Sequence, residues 1–181
     1  MITREELEDL RGKAGPEYID IARAHEWERV IKHDLMAEIK TYAEQAPRGG
    51  GKLHMGATSK DILDNADALR IREALNLVLT RLINCLEAFS KVIEEHKETF
   101  CIGWTHLQPA VPTTLGYRFA NYAQDLVMDI HLLEDVLSRL RGKGLKGAVG
   151  TSASFKRLLK GKGDSMDLEL SLIHISEPTR L

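Results

Sequence analysis

Apolar residues recur along most of this chain at steps of three and four, the spacing that gathers them on one face of an α-helix. The longest such pattern runs from Ser59 to Phe100 with no proline or glycine, and Ile62, Ala66, Leu69, Leu79, Ile83, Leu86 and Ile93 mark its apolar face. As one helix it would span roughly 60 Å. Helices of that length are uncommon in a small domain and predict a bundle, a coiled coil or a helical core shared between subunits. The cleanest stripe follows it, through Leu115, Phe119, Tyr122, Leu126, Ile130, Leu133, Leu137 and Leu140. Thr113 or Thr114 can cap that helix, and Gly142, Gly144 and Gly147 end it. Nearer the start, Ile19, Ala22, Trp27, Val30, Ile31, Leu35, Ile39 and Tyr42 predict a single helix from Glu17 to Gln45. Thr3 and Glu6 fit a capping box. It opens a short helix that ends near Gly12 or Gly15, and Pro16 suits the first turn of the next. The pattern as a whole predicts an all-α chain.

The interruptions are as informative as the helices. Pro47 to Lys52 reads as a flexible turn; Leu53 follows the lysine and no strand precedes, so the phosphate-loop pattern is not met. Thr58 or Ser59 is a natural N-cap for the longest helix, with Asp61 in its first turn. Cys101 to Gly116 separates the two longest helices, and Pro109 and Pro112 allow neither to run through. This segment is expected to be a loop. It holds Thr105, His106 and Gln108 together, and histidine titrates near neutral pH, so it is a candidate place for chemistry. Lys143 to Ser154 is rich in Gly, Ser and Thr, a composition whose backbone donors can cradle an anion. Leu170 to Arg180 alternates like a strand, in conflict with everything before it. That stretch resembles translated adapter sequence from transposase-based sequencing libraries. Residues 170–181 are therefore set aside as an assembly artefact. The natural protein is expected to continue beyond about Glu169.

With 181 residues, of which 43% are hydrophobic and 29% charged, the chain has an ordinary globular composition. A formal net charge of −2 argues against bulk attraction to nucleic acid or an anionic membrane. No run approaches the ~20 apolar residues of a membrane span. Cys85 and Cys101 make no disulfide framework, and reduced thiols in the cytoplasm suit them better. No metal-ligand spacing is present, so no metal is expected. On its own, the triplet Lys32-His33-Asp34 reads as an ordinary solvated helix face.

Three stretches, in order, resemble the adenylosuccinate lyases of the fumarase and aspartase superfamily. They are Lys32-His33-Asp34-Leu-Met-Ala37; His54-Met-Gly-Ala-Thr-Ser59 with Asp64-Asn65; and Gly103-Trp-Thr-His-Leu-Gln-Pro-Ala110 with Pro112-Thr-Thr-Leu-Gly116. Gln124 to Asp129 and Lys146 to Thr151, with Ala153-Ser-Phe155, add support. The resemblance covers about residues 2–162.

It implies a fumarase/aspartase-like bundle of long helices. Residues 1–52 would form an N-terminal helical domain, truncated at its start, and 53–169 the first part of the central bundle. It implies elimination of fumarate from adenylosuccinate and from the succinyl-carboxamide ribotide of purine synthesis, on a small-molecule nucleotide substrate and without a cofactor. His106 matches the family's general acid. His33 matches the second active-site histidine, which helps bind and orient substrate near its phosphate, with Lys32 and Asp34 as substrate-binding neighbours; Lys32 stands where the family often has arginine and keeps the charge without the bidentate geometry. Thr58 and Ser59 match residues that hold the succinyl group, and Thr105 is a further contact. The family assembles as homotetramers whose active sites draw on three subunits. Its serine base lies on a loop, Gly-Ser-Ser-x-Met-Pro-x-Lys-Arg-Asn-Pro, with no counterpart in these residues, so the chain alone is expected to be inactive. Argininosuccinate lyase, the cyclising lyase of β-carboxymuconate metabolism and a non-catalytic helical module are the alternatives.

Overall fold

The computed structural model describes residues 2–175, with side chains described as far as Leu170. Among the described residues, seven α-helices and one β-hairpin follow in the order α1 (Arg4–Gly12), α2 (Ile21–Ile31), α3 (Asp34–Gln45), α4 (Ser59–Glu95), β1 (Phe100–Thr105), β2 (Gln108–Thr114), α5 (Leu115–Arg139), α6 (Ala153–Leu159) and α7 (Ser165–Ile175). The all-α expectation holds, with a two-stranded hairpin added. Two compact units divide the chain: Met1–Asp67 with Arg141–Leu181, and Ala68–Leu140.

In the first unit, α1 starts where the capping box places it. The Glu6 amide donates to Thr3 Oγ1 at 3.3 Å and the Thr3 amide to Glu6 Oε2 at 2.8 Å. The single helix expected from Glu17 to Gln45 is instead two. Asp20 caps α2 through the Arg23 amide. Lys32 then turns left-handed, at φ 55°, and ends it. The apolar spacing continues across this break because α3 folds back along α2. Arg23, early in α2, pairs with Glu44, late in α3, at 2.7 Å; Lys40 lies over the ring of Trp27 at 4.5 Å. Trp27 Nε1 also donates to Glu44 at 3.0 Å. Leu10, Leu35, Ala37 and Ala46 form the buried core beside this pair. The Tyr42 hydroxyl donates to the Leu10 carbonyl.

The turn after α3 is clamped rather than loose. Asp9 accepts from the Arg48 and Gly49 amides at 2.9 and 3.1 Å, and Lys52 pairs with Glu6 at 2.7 Å. A side chain at Gly49 would meet the Glu6 carbonyl oxygen at 2.4 Å, so glycine here permits close backbone approach. The strand-like alternation from Leu170 does not give a strand. The α7 backbone stays helical to Ile175, and among the described residues the only sheet is the β1–β2 pair. Residues 176–181 lie outside the described residues.

In the second unit, α4 and α5 run antiparallel. Phe89 and Phe119 meet edge to face at 5.8 Å near one end, and Arg72 donates to the Leu140 carbonyl at 2.9 Å near the other. At the start of α5, a side chain on Gly116 would lie 2.7 Å from the Ile93 carbonyl oxygen. The Leu115 and Gly116 amides bond to the Thr99 and His96 carbonyls, each at 2.9 Å, closing the base of the hairpin. Ala68 and Ala123 are buried, whereas Leu77, Met128 and Leu132 are 60–62% exposed.

The proline-bracketed segment is therefore no loop. β1 and β2 pair antiparallel, with Pro112 opposite Ile102 and Pro109 opposite Trp104. Proline is tolerated because each strand of a two-stranded ribbon is an edge strand, with one row of backbone groups unpaired. An extra residue in β2 between these pairs makes a bulge.

Candidate functional site

The start of α4 gathers the most of the expected site residues. His33, between α2 and α3, has the extended backbone of an N-cap at φ −149°. Its Nδ1 accepts from the Met36 amide at 3.4 Å. A ring that accepts at Nδ1 carries its neutral proton on Nε2. Nε2 lies 3.1 Å from Ser59 Oγ, so it donates to that oxygen and leaves the serine proton free to point elsewhere. Asp34 Oδ1 stands 3.3 Å from Nδ1 and also accepts from the Leu35 amide at 2.7 Å. A charged His33 would turn Nδ1–H toward Asp34 and give up the cap. Thus His33, Asp34 and Ser59 meet, although Ser59 is far along the chain.

Thr58 precedes Ser59 and is half-buried. Its amide donates to Asp61 Oδ2 at 3.0 Å, half of a capping box, and its hydroxyl has no hydrogen bond among the described residues. Hydroxyls at a helix N-terminus, where amides and dipole are positive, suit a carboxylate or phosphate. Lys32 is exposed at the end of α2, in a shallow hollow with His25, Glu28 and Arg29. The helix C-terminus is negative there, so these cations offset the dipole as well as offering charge to an anion. Beside the His33 segment is a cleft of about 670 Å³, mostly apolar, whose lining includes Asp34, His54, Tyr18 and Ile21.

By sequence Asp61 is simply an acidic residue in the first turn of α4. It is 1% exposed, and its carboxylate accepts from the Lys146 amide at 3.1 Å and the Gly147 amide at 2.9 Å besides that of Thr58. The donor-rich segment, which by composition alone reads as no more than a loop, thus gives two of its backbone amides to Asp61. Asn65 and Asp64 continue the attachment. Asn65 Oδ1 accepts from the Lys143 amide at 2.8 Å, and Lys143 Nζ pairs with Asp64 at 2.9 Å. The Lys143 ammonium, with help from Lys60, holds the Asp64 carboxyl below the usual range. Lys146 Nζ reaches Glu169, which is 7% exposed, at 2.9 Å. Only a local signal was available for Asp61, an acid three residues past an N-cap; its loop partners lie too far along the chain to be read.

His106 and Thr105 belong to the other unit, at the tip of the hairpin. Thr105 pairs with Gln108, so His106 and Leu107 form a two-residue turn, and both have positive φ, 48° and 63°. Two positive values define the primed turn that matches strand twist, a place usually given to Asn-Gly. Non-glycine residues there are strained by about 1–2 kcal/mol each. Both are exposed, Leu107 to 96%. The turn leaves the imidazole exposed at the tip of the ribbon.

The lyase family model matches residues 19–161. The chain is 36% identical over 167 residues to adenylosuccinate lyase from Saccharomyces cerevisiae, covering 92% of this chain and 35% of that protein. Among solved structures, a fumarate lyase from Mesorhizobium sp. BNC1 superposes with a TM-score of 0.84 at 27% identity, covering 96% of this chain and 40% of that one. The 3-carboxy-cis,cis-muconate lactonizing enzyme from Pseudomonas putida superposes at 0.82 with 21% identity, covering 99% and 41%, and shares the fold. The chain spans about a third of the length of the curated relatives it matches.

Proposed function

The chain belongs to the lyase family of the fumarase and aspartase superfamily, and from that premise we propose that it supplies part of the active site of an adenylosuccinate lyase. The reaction is elimination of fumarate from adenylosuccinate, giving AMP, and from the succinyl-carboxamide ribotide. A base takes the proton from the carbon beside a carboxylate, and the electron pair moves into that carboxylate as an aci-carboxylate. The pair then returns to form the C=C bond of fumarate as the C–N bond breaks. An acid protonates the departing nitrogen. His106 is the general acid in this reading, with Thr105 a neighbouring contact. Thr58 and Ser59 hold the succinyl group. His33 orients Ser59 and, with Lys32 and Asp34, meets the nucleotide end.

The observation that carries the reading is the His33–Ser59 contact at 3.1 Å. It joins two of the three family-like stretches at one helix N-terminus, the end suited to an anion. The serine base belongs to a loop without a counterpart in these residues, so the chain alone is inactive in this proposal. Exposed apolar residues along α4 and α5, including Leu77 and Leu132, support a homotetramer in which other copies cover the bundle face. Residues 1–52 and 53–169 would then be the N-terminal domain and the start of the central bundle, in a cytoplasmic enzyme. No helix among the described residues is long and apolar enough to cross a membrane.

The test is fumarate release, followed in the ultraviolet, by the full-length enzyme given adenylosuccinate or argininosuccinate. Turnover of adenylosuccinate at least a hundredfold above the other is expected. Turnover of argininosuccinate alone, or of neither, contradicts the proposal.

A further inference from the structure

We propose that Asp61 is a positioning residue for the anion-binding end of α4, a role that rests on the lyase reading above. Its buried carboxylate joins two segments more than eighty residues apart. One oxygen accepts from the Lys146 amide; the other accepts from the amides of Gly147 and Thr58. The same residue thus fixes the backbone on which the Thr58 and Ser59 hydroxyls are mounted and the loop that packs behind it. A buried carboxylate with three amide donors is satisfied, and each donor lost leaves a polar group unpaired in a dry place. Asn65 strengthens the arrangement, since its side-chain amide donates to the Asp61 carbonyl at 2.7 Å while its oxygen holds the Lys143 amide. Lys146 lies across the loop from Glu169, so α7 is tied to the same frame. Asp61 is itself buried, with its carboxylate taken up by backbone amides. It acts through Thr58 and the loop.

This makes the Asp61 carboxylate an internal anion that neutralises the loop amides. A substrate carboxylate then has Thr58, Ser59 and the helix N-terminus to bind, with no competing site behind them.

Asp61→Asn keeps the volume and one acceptor oxygen but turns an NH2 group toward amides that need an acceptor. In the full-length enzyme it is expected to raise KM about tenfold while kcat stays within threefold, because the acid on the hairpin is untouched. Hydrogen–deuterium exchange of peptides covering 54–62 and 143–152 should speed up about tenfold together. Faster exchange with KM within twofold of wild type would reduce Asp61 to a structural staple and overturn the proposal; so would unchanged exchange. The wild-type protein gives a second test that needs no variant. Saturating fumarate should slow exchange in both peptides at once, and protection of 54–62 with 143–152 unaffected contradicts the shared frame. If the wild-type enzyme released no fumarate, the lyase reading would fall. The effect of Asp61→Asn on exchange of the 54–62 peptide and on the His33 ring C2–H would still decide whether Asp61 sets the Ser59 geometry. Movement of both supports it, and movement of neither overturns it.

Discussion

Replacing His33 separates two jobs that the structure gives to one ring. Nδ1 caps α3 by accepting from the Met36 amide, and Nε2 meets Ser59 Oγ. His33→Ala removes both. Loss of an N-cap costs about 1 kcal/mol, and that is the cost expected for this 3.4 Å bond. The Ser59 bond contributes on the order of 0.5–1.5 kcal/mol, reduced here because the ring is partly solvated. The sum is about 1.5 kcal/mol, of which only the cap acts on Met36. His33→Asn restores a strong capping side chain but is too short to reach Ser59. Amide exchange at Met36 in this chain, measured by NMR, should therefore rise about fivefold in His33→Ala and stay within twofold of wild type in His33→Asn. The Ser59 resonances should shift alike in both. Equal Met36 exchange in the wild type and both variants would refute the capping role. A Ser59 shift confined to His33→Ala would refute the contact.

Further outcomes follow from the turn and from the ion pairs. Leu107→Gly relieves left-handed strain without touching the imidazole, and should stabilise the unit containing the hairpin by about 1 kcal/mol in thermal unfolding; destabilisation would contradict the turn geometry. Glu6, Glu44 and Asp64 all titrate below their ordinary values, chiefly through hydrogen bonds from Lys52, Arg23 and Lys143 respectively. A depressed carboxylate contributes stability above its unfolded pKa and loses it as pH falls through the folded one. Urea unfolding midpoints should hold from neutral pH to about 5 and fall below about 4, with a smaller fall at high salt, where exposed pairs are screened. A midpoint that rises on acidification would reverse the assigned signs.

What could be read beforehand was local or periodic. Thr3 and Glu6 stand within one turn of each other, and the Leu115 to Leu140 stripe repeats along one face, so both features need no distant partner. The break at Lys32 was hidden because the apolar spacing on either side stays in phase, and because neither Lys32 nor His33 is a usual residue for a left-handed stop or a cap. The hairpin was hidden for a similar reason. Its turn is His106-Leu107 rather than Asn-Gly, and prolines in β2 argue against a strand unless that strand is an edge. The alternation from Leu170 gives no strand as far as Ile175, because alternation makes a strand only where another strand can pair with it. At the site, resemblance picked out His33 and Ser59 separately, and the fold joined them. Asp61 needed the fold entirely, since its role depends on amides of Lys146 and Gly147.

The central claim is that the hairpin presents His106 as the acid for C–N cleavage. The most direct measurement is steady-state turnover of adenylosuccinate by full-length His106→Ala, with circular dichroism confirming the fold. Loss of kcat by two or more orders of magnitude is predicted, with KM within a few-fold of wild type. A folded variant whose kcat stays within tenfold of wild type would contradict the assignment.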